Sequence, residues 1–221
     1  MPNTVACRSF TDFIQSAEFP CVGAKSALAR DALTVFVAGD IDRACDDVDI
    51  HRALREFSAQ LDHESPIVKS FVVVFEGPGD LDEEEFEKAL WNRLQCLHNL
   101  DVVSGTPWSD GVAADPDSPH FSLSVGSEPF FVIGLHPRAS RPARRFDKPA
   151  LVFNSHRQFE KLRADGRFDK MKAIIRKRDA ELAGDVNPML SDYGEASEAR
   201  QYSGRVVGDA WKCPFAHKEI A

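Results

Sequence analysis

The amino-acid sequence predicts an α+β fold, in which several helices pack on a small mixed or antiparallel β-sheet. Two patterns predict it: segments whose apolar residues recur at helical spacing, and short runs of β-branched and aromatic residues that are typical of strands. The chain has 221 residues, of which 43% are hydrophobic. This length suits one sizeable core better than two. We therefore predict a single domain over residues 1–221.

Helices are predicted where apolar residues recur every three or four positions. Asp80 is the predicted N-cap of the longest helix, because Glu83 follows three residues later as in a capping box. Gly184 is the predicted C-terminal stop of the last helix. The predicted helices cover Phe10–Ala17, Ala24–Leu33, Ile50–Leu61, Asp80–Leu97, Ser155–Arg163 and Phe168–Ala183.

Strands are predicted in five short runs that are rich in β-branched and aromatic residues. Gly126–Pro129 is the predicted turn of a hairpin between two of these runs. The loops at 101–119, 136–149 and 184–205 are long for a compact domain, and long loops are typically functional or disordered. The predicted strands cover Thr34–Ala38, Ser70–Glu76, His120–Val125, Phe130–Leu135 and Leu151–Phe153.

Charge and cysteine content exclude several classes of protein. The net charge of −8 argues against binding to nucleic acid or to anionic membranes. Five widely spaced cysteines without a CxxC motif argue against a disulfide framework and a zinc ribbon. We see no signal peptide and no apolar stretch that could span a bilayer, so we expect a cytoplasmic protein without a membrane partner.

One segment departs from the acidic average. Gly134–Phe146 holds four arginines and no acidic residue, and guanidinium groups bind carboxylates and phosphates in bidentate fashion. The alternative is a solvated basic loop, or pairing with the acidic segments of the chain. His136 lies in the same segment, where a strand opens into a loop, and could equally be a ligand or a residue that only ends the strand. The arginines are Arg138, Arg141, Arg144 and Arg145.

Further candidates lie towards the C-terminus. His156 and Glu160 are four residues apart on a predicted helix, and together with His136 they could form a two-histidine, one-carboxylate iron site or be no more than a surface contact. Cys213 precedes a proline, as in some heme-thiolate contacts, although an inert buried cysteine has the same pattern. The polar segment Ser197–Arg205 suits a small polar substrate or a subunit contact.

The common nucleotide-binding and hydrolase motifs are missing from the sequence. There is no Walker loop, no GxGxxG, no GxSxG and no HExxH. A redox enzyme with this sequence would therefore take electrons from a partner or a small reductant, and not from a dinucleotide held by a Rossmann unit.

Several long runs make the chain resemble the YqcI/YcgG family. They cover most of the sequence and are densest between residues 119 and 215. The runs are Phe19–Lys25, Phe130–Phe146, Phe153–Glu160, Asn187–Leu190, Ser197–Arg205 and Trp211–Phe215. Members of that family include heme-dependent N-hydroxylases of L-arginine and of related guanidines. The resemblance therefore implies heme b, molecular oxygen, an electron donor and a guanidine or amino-acid substrate, with a homodimer as one expected assembly.

The resemblance also gives the candidate residues roles. For the axial ligand of the iron we rank His136 first, His156 second and Cys213 third. The four arginines of Gly134–Phe146 are expected to bind the heme propionates. The residues expected at the substrate are Glu160, Asp192, Glu198, Arg200 and Tyr202, of which the three acids could pair with a guanidinium group. The alternatives are a non-heme iron oxygenase and a non-catalytic heme carrier or sensor.

Overall fold

A computed structural model describes residues 4–220, and within them it contains one five-stranded sheet. The strand order is β1-β2-β5-β4-β3, where β1 pairs with β2 in parallel and the other neighbours pair antiparallel. The strands are β1 (Leu33–Asp40), β2 (Ser70–Gly77), β3 (Leu123–Val125), β4 (Glu128–Leu135) and β5 (Ala150–Ser155). The predicted α+β class is thereby confirmed, with a mixed sheet.

The predicted helices are all present in the described region, although the second ends at Ala29 and Leu33 already belongs to β1. The short helix Ala199–Tyr202 and a 3-10 helix over Pro142–Arg144 were not predicted. Gly184 ends its helix in the left-handed conformation (φ 83°), as predicted. The helices are α1 (Val5–Gln15), α2 (Val22–Ala29), α3 (Asp47–Ala59), α4 (Glu83–Val103), α5 (His156–Ala164), α6 (Phe168–Ala183) and α7 (Ala199–Tyr202).

Several boundaries differ from the prediction: α4 extends to Val103 and not only to Leu97, and β3 begins at Leu123 and not at His120. Two further differences have local reasons. The N-cap of α4 is Asp82 and not Asp80, because Asp82 and Glu85 complete the capping box on each other's backbone. The hairpin turn is Gly126-Ser127 alone, and both residues have positive φ (64° and 62°). Such a two-residue turn matches the twist of the strands it joins. Glu128 therefore belongs to β4 and pairs with Val125.

The two faces of the sheet carry separate apolar cores. Along β5, Leu151 and Phe153 face α3 and α4, whereas Ala150 and Val152 face α1 and α2. This alternation follows from the two-residue period of a strand. The α4 core is densely packed: a Cβ atom on Gly134 would lie 2.8 Å from side-chain atoms of Phe86 and Leu90.

No helix within residues 4–220 is long and apolar enough to cross a membrane. The longest, α4, has 21 residues, but it carries acidic residues in its first turn and buries charged groups along its length.

Candidate functional site

On the face of the sheet that carries α1 and α2, the helices do not pack tightly against the strands. A cavity of about 350 Å³ lies between them. The sheet forms the floor, and α1, α2, α5, α6 and the segment before α7 form the walls. The apolar lining includes Phe131, Ile133, Phe159, Met171 and Ile175. A mostly apolar cavity with a few polar groups is the usual setting for a cofactor or a small ligand.

Helix α6 forms one wall of the cavity, and the residues that line it lie on one side of the helix. Phe168, Met171, Lys172, Ile175 and Asp179 line the cavity at helical spacing. Of these, Asp179 alone is buried. The apolar side of α6 therefore faces an open volume instead of a packed core.

Helix α5 directs a second set of side chains into the cavity. His156, Phe159 and Arg163 are three and four residues apart, so they project from the same side of the helix. Ser155 fixes the start of this helix, since its hydroxyl accepts a hydrogen bond from the Gln158 amide and donates one to Glu128 of β4. The position of His156 is thus set directly by the sheet.

His156 is an imidazole without a hydrogen-bonding partner for one nitrogen. It is 3% exposed, and no described residue hydrogen-bonds to Nε2. The nearest acidic oxygen, Oε1 of the exposed Glu160, lies 3.5 Å away. Burial lowers the pKa of His156, which favours the neutral ring. A neutral imidazole is the form that binds a metal ion.

Basic side chains of α5 and α6 also line the cavity. Lys172 and Arg176 of α6 both pair with Asp192, at 2.9 and 2.7 Å. Arg163 is different, because within residues 4–220 no carboxylate lies within ion-pair distance of it. Its guanidinium instead lies 4.4 Å from the centre of the Phe168 ring. Arg163 is therefore available to an anionic group in the cavity.

The four predicted arginines are largely occupied by the protein itself. Arg144 donates to the carbonyl groups of Gly134, Gln201 and Tyr202, which ties α7 to β4. Arg141 lies against Asp179 and Asp185. Arg141 and Arg144 line the cavity. Arg138 and Arg145 do not: Arg138 donates to the backbone carbonyl of Asp80, and Arg145 donates to the backbone carbonyls of Ala139 and Ser140.

His136 and Cys213 lie away from the cavity. His136 is 1% exposed and stacks on Phe86 of α4, with ring centres 4.3 Å apart. Burial lowers the pKa of His136 to about 4. Cys213 packs against the same α4 core, and burial raises the pKa of its thiol to about 12. Of the three ligand candidates, the structure thus brings His156 alone to the cavity.

The predicted triad of His136, His156 and Glu160 does not come together, because the two histidines lie on opposite faces of the sheet. Among residues 4–220, no group of three or more His, Cys, Asp or Glu side chains is arranged to hold a metal ion. A metal here would therefore have to bring most of its ligands with it, as the iron of heme does.

The predicted substrate residues divide into two groups. Glu198 and Asp192 line the cavity, but Asp192 is already neutralised by Lys172 and Arg176. Glu160 is exposed. Tyr202 is fully buried beneath Glu198 and reaches its carboxyl group with its hydroxyl at 2.8 Å. Arg200 points away, to the carbonyl groups of Val207 and Gly208.

Arg163 and Tyr193 line the cavity and were not among the sequence candidates. Arg163 could have been found, since it stands seven residues after His156 and helical spacing puts both on one side of α5. Tyr193 could not, because it reaches His156 from a segment without regular structure. The centres of the Tyr193 and His156 rings are 4.2 Å apart.

The fold and the cavity define a class: an α+β protein with a mostly apolar cavity whose wall holds a buried imidazole, a buried carboxyl group and a guanidinium without a carboxylate partner among residues 4–220. The sequence comparisons name the family. The chain matches the sequence model of the YqcI/YcgG family over residues 10–216, and it belongs to that family.

Two relatives of known name cover nearly the whole chain. "Uncharacterized protein YqcI" of Bacillus subtilis (strain 168) is 27% identical over 208 residues, which is 90% of this chain and 80% of the relative. "Putative N(omega)-hydroxy-L-arginine synthase DcsA" of Streptomyces lavendulae is 30% identical over 222 residues, which is 90% of this chain and 78% of the relative. The second name is compatible with an N-hydroxylating enzyme. No solved structure gives a significant match.

Proposed function

We propose that this protein is a heme-dependent N-hydroxylase that acts on a guanidino nitrogen of L-arginine or of a related guanidine. The observation that carries the proposal is the buried His156 nitrogen without a hydrogen-bonding partner, in the wall of an otherwise apolar cavity. The similarity to a relative named as an N(omega)-hydroxy-L-arginine synthase supports the reaction class.

The lining of the cavity fits heme b by the chemistry of its donors. His156 would be the axial ligand, which moves this role from His136, our first choice on sequence. Arg163 would face a propionate, because it is the lining guanidinium without a carboxylate partner among the described residues. Lys172 and Arg176 are already paired with Asp192 and would contribute less. The aromatic and aliphatic lining would contact the apolar faces of the macrocycle.

Bound heme would supply the oxygen chemistry, while the protein supplies binding, orientation and exclusion of water. Helix α6 would exclude water by covering the cavity. The cationic substrate needs a carboxylate, and the wall of the cavity offers Glu198. Since the sequence lacks a dinucleotide-binding motif, the electrons would come from a partner protein or a small reductant.

The test is heme binding by two histidine variants. Purified protein is titrated with hemin, and the Soret absorption band is followed. His156→Ala is expected to lose the wild-type band or to bind hemin at least about tenfold more weakly, since it lacks the ligand. Added imidazole should restore the band. His136→Ala is the matched control, because it removes a buried histidine on the other face of the sheet.

The activity is tested on the same preparations. Reduced, hemin-loaded protein is mixed with oxygen and L-arginine, and N-hydroxyarginine is measured by mass spectrometry. If His156→Ala keeps the wild-type spectrum, or if the hemin-loaded wild type yields no hydroxylated guanidine from arginine or its relatives, the proposal fails.

A further inference from the structure

Glu198 is a buried acid without a cationic partner. It is 6% exposed, and within residues 4–220 no Lys, Arg or His lies within ion-pair distance of it. An isolated buried carboxylate is costly, so such groups are paired or neutral. The oxygen Oε1 is held by Ser122 and Tyr202, at 2.7 and 2.8 Å. The hydrogen bonds of the described residues to this carboxyl group both go to Oε1, which leaves Oε2 free, and the side chain lines the cavity.

The Tyr202 hydroxyl cannot satisfy all its neighbours while Glu198 is ionised. Its oxygen lies 2.8 Å from Oε1 of Glu198 and 3.0 Å from the carbonyl oxygen of Phe130, but a hydroxyl has a single hydrogen to donate. A protonated Glu198 solves this conflict, because it can donate its own hydrogen to Tyr202, which then donates to Phe130. The backbone amide of Leu123 donates to the same hydroxyl in either case.

Two further ionisable side chains, Arg163 and Tyr193, lie near Glu198. Arg163 of α5 favours the carboxylate, and Tyr193 approaches from the segment before α7 as a neutral phenol whose own pKa is raised, first by burial and then by Glu198. Burial dominates and raises the pKa of Glu198 to about 7. We therefore expect Glu198 to hold a proton in mildly acidic solution when no ligand is bound.

We propose that Glu198 binds the cationic nitrogen group of the substrate and gives up its own proton when that group arrives. The proposal rests on the function proposed above and assigns the residue that selects its substrate. On binding, the carboxylic acid of Glu198 releases one proton to the solvent, and the resulting carboxylate pairs with the guanidinium ion. Ser122 and Tyr202 hold Oε1 in place, so that Oε2 is presented to the ligand.

Calorimetry measures the number of protons that are released when arginine binds. Hemin-loaded wild-type protein is titrated with L-arginine at pH 6 and at pH 8.5, in two buffers of different ionisation enthalpy. We expect most of one proton to be released per arginine bound at pH 6 and almost none at pH 8.5, where Glu198 is already ionised. L-Citrulline, which replaces the charged group by a neutral one of the same shape, should release none and bind more weakly.

Variants separate this role from a structural one. Glu198→Gln keeps the shape and should lower the affinity for arginine about 10- to 100-fold, the range for a lost charged hydrogen bond, and abolish proton release at pH 6. Glu195→Gln is the matched control, since it removes an exposed carboxylate from the same segment, and both quantities should stay at the wild-type value.

The outcomes distinguish this proposal from the heme assignment. The proposal is overturned if arginine binds to the wild type at pH 6 without proton release, if Glu198→Gln binds arginine as tightly as the wild type, or if the wild type binds no arginine. If hemin does not bind but the protein as isolated binds arginine with proton release, the role of Glu198 is supported and the heme function fails.

Discussion

The ring of Tyr193 packs against the imidazole of His156, with ring centres 4.2 Å apart and planes inclined by 54°. The hydroxyl of Tyr193 is anchored on the carbonyl oxygen of His120, at 3.0 Å. A residue of the long segment between α6 and α7 thereby fixes the side chain that we propose as the iron ligand. Arg163, the other polar side chain of α5 that lines the cavity, lies 6.0 Å from the same aromatic ring.

This contact predicts unequal effects of two substitutions at Tyr193. Tyr193→Phe keeps the ring and should leave hemin affinity within about threefold of the wild type. Tyr193→Ala removes the ring that orients His156 and should weaken hemin binding about tenfold or more, in the range reported for groups that orient metal ligands. The measurement is the Soret titration. Equal affinities for the wild type and Tyr193→Ala would show that the contact does not orient the ligand.

Gly134 predicts a second effect, on stability. A Cβ atom at this position would lie 2.9 Å from the backbone oxygen of Tyr202, besides the close contacts to α4. Since that oxygen is held by Arg144, it cannot easily move away. Gly134→Ala should therefore lower the free energy of unfolding by about 1–3 kcal/mol. Urea denaturation followed by circular dichroism measures it.

The matched control is Gly208→Ala, because no atom lies within 4 Å of a Cβ added there. Its stability should stay within about 0.5 kcal/mol of the wild type. A Gly134→Ala protein as stable as this control would mean that α7 can shift away from β4 at little cost.

The sequence predicts the elements of this fold better than the site they form. Strands and helices are set by local periodicity: Gly184 ends α6 as predicted, and α4 forms where its apolar stripe predicts a helix, although it extends past Leu97 to Val103. Successive side chains of a strand point to opposite faces of the sheet. A shift of one residue in the predicted strand therefore places a side chain on the wrong face. Leu135 faces the cavity, so the next residue, His136, faces α4.

The choice between the two histidines therefore needed tertiary information. Both follow a strand directly, and both are buried. What distinguishes them is that α4 packs tightly on one face while α6 leaves a cavity on the other. The gap between α6 and the sheet arises from how the helices pack together, so it cannot be predicted from a local sequence pattern. The acid Glu198 was a candidate from its segment, but its burial was not predictable.

The attachment of α6 predicts a further effect on stability. Asp179 is its buried residue, and it accepts two hydrogen bonds from Arg141, at 2.9 and 2.7 Å. Asp179→Asn removes the charge but keeps the shape. It should lower the free energy of unfolding by about 1–3 kcal/mol, since Arg141 is then left less well paired. The exposed Glu181→Gln on the same helix is the control and should change it by less than about 0.5 kcal/mol.

The contacts of α6 should also change when a ligand binds, because its apolar side chains line the cavity and would pack against bound heme. Hydrogen exchange of residues 168–183 should slow when hemin binds to the wild type. In Asp179→Asn the exchange without hemin should be faster, and hemin should restore part of the protection. Exchange in α6 that is unaffected by bound hemin would exclude the helix as the cover of the cavity.

The C-terminal segment predicts a dependence on pH that is separate from the cavity. Nε2 of His98 in α4 accepts a hydrogen bond from the backbone amide of Lys218, at 2.9 Å, which requires a neutral ring. Burial, followed by the nearby His217, lowers the pKa of His98 to about 4. The unfolded chain protonates this histidine near its ordinary pKa of about 6.5, so it binds more protons than the folded chain between these values.

Stability should therefore fall as the pH drops from about 6.5 towards 4, and the contact should be complete above that window. The protection factor of the Lys218 amide, which corrects for the slower chemical exchange at lower pH, is expected to fall over the same range, ahead of those of the α4 amides. His98→Gln keeps an acceptor but does not titrate here, so the protection factor of its Lys218 amide should stay constant. If that protection factor still falls in the variant between pH 6.5 and 4, as in the wild type, a group other than His98 controls the C-terminal segment.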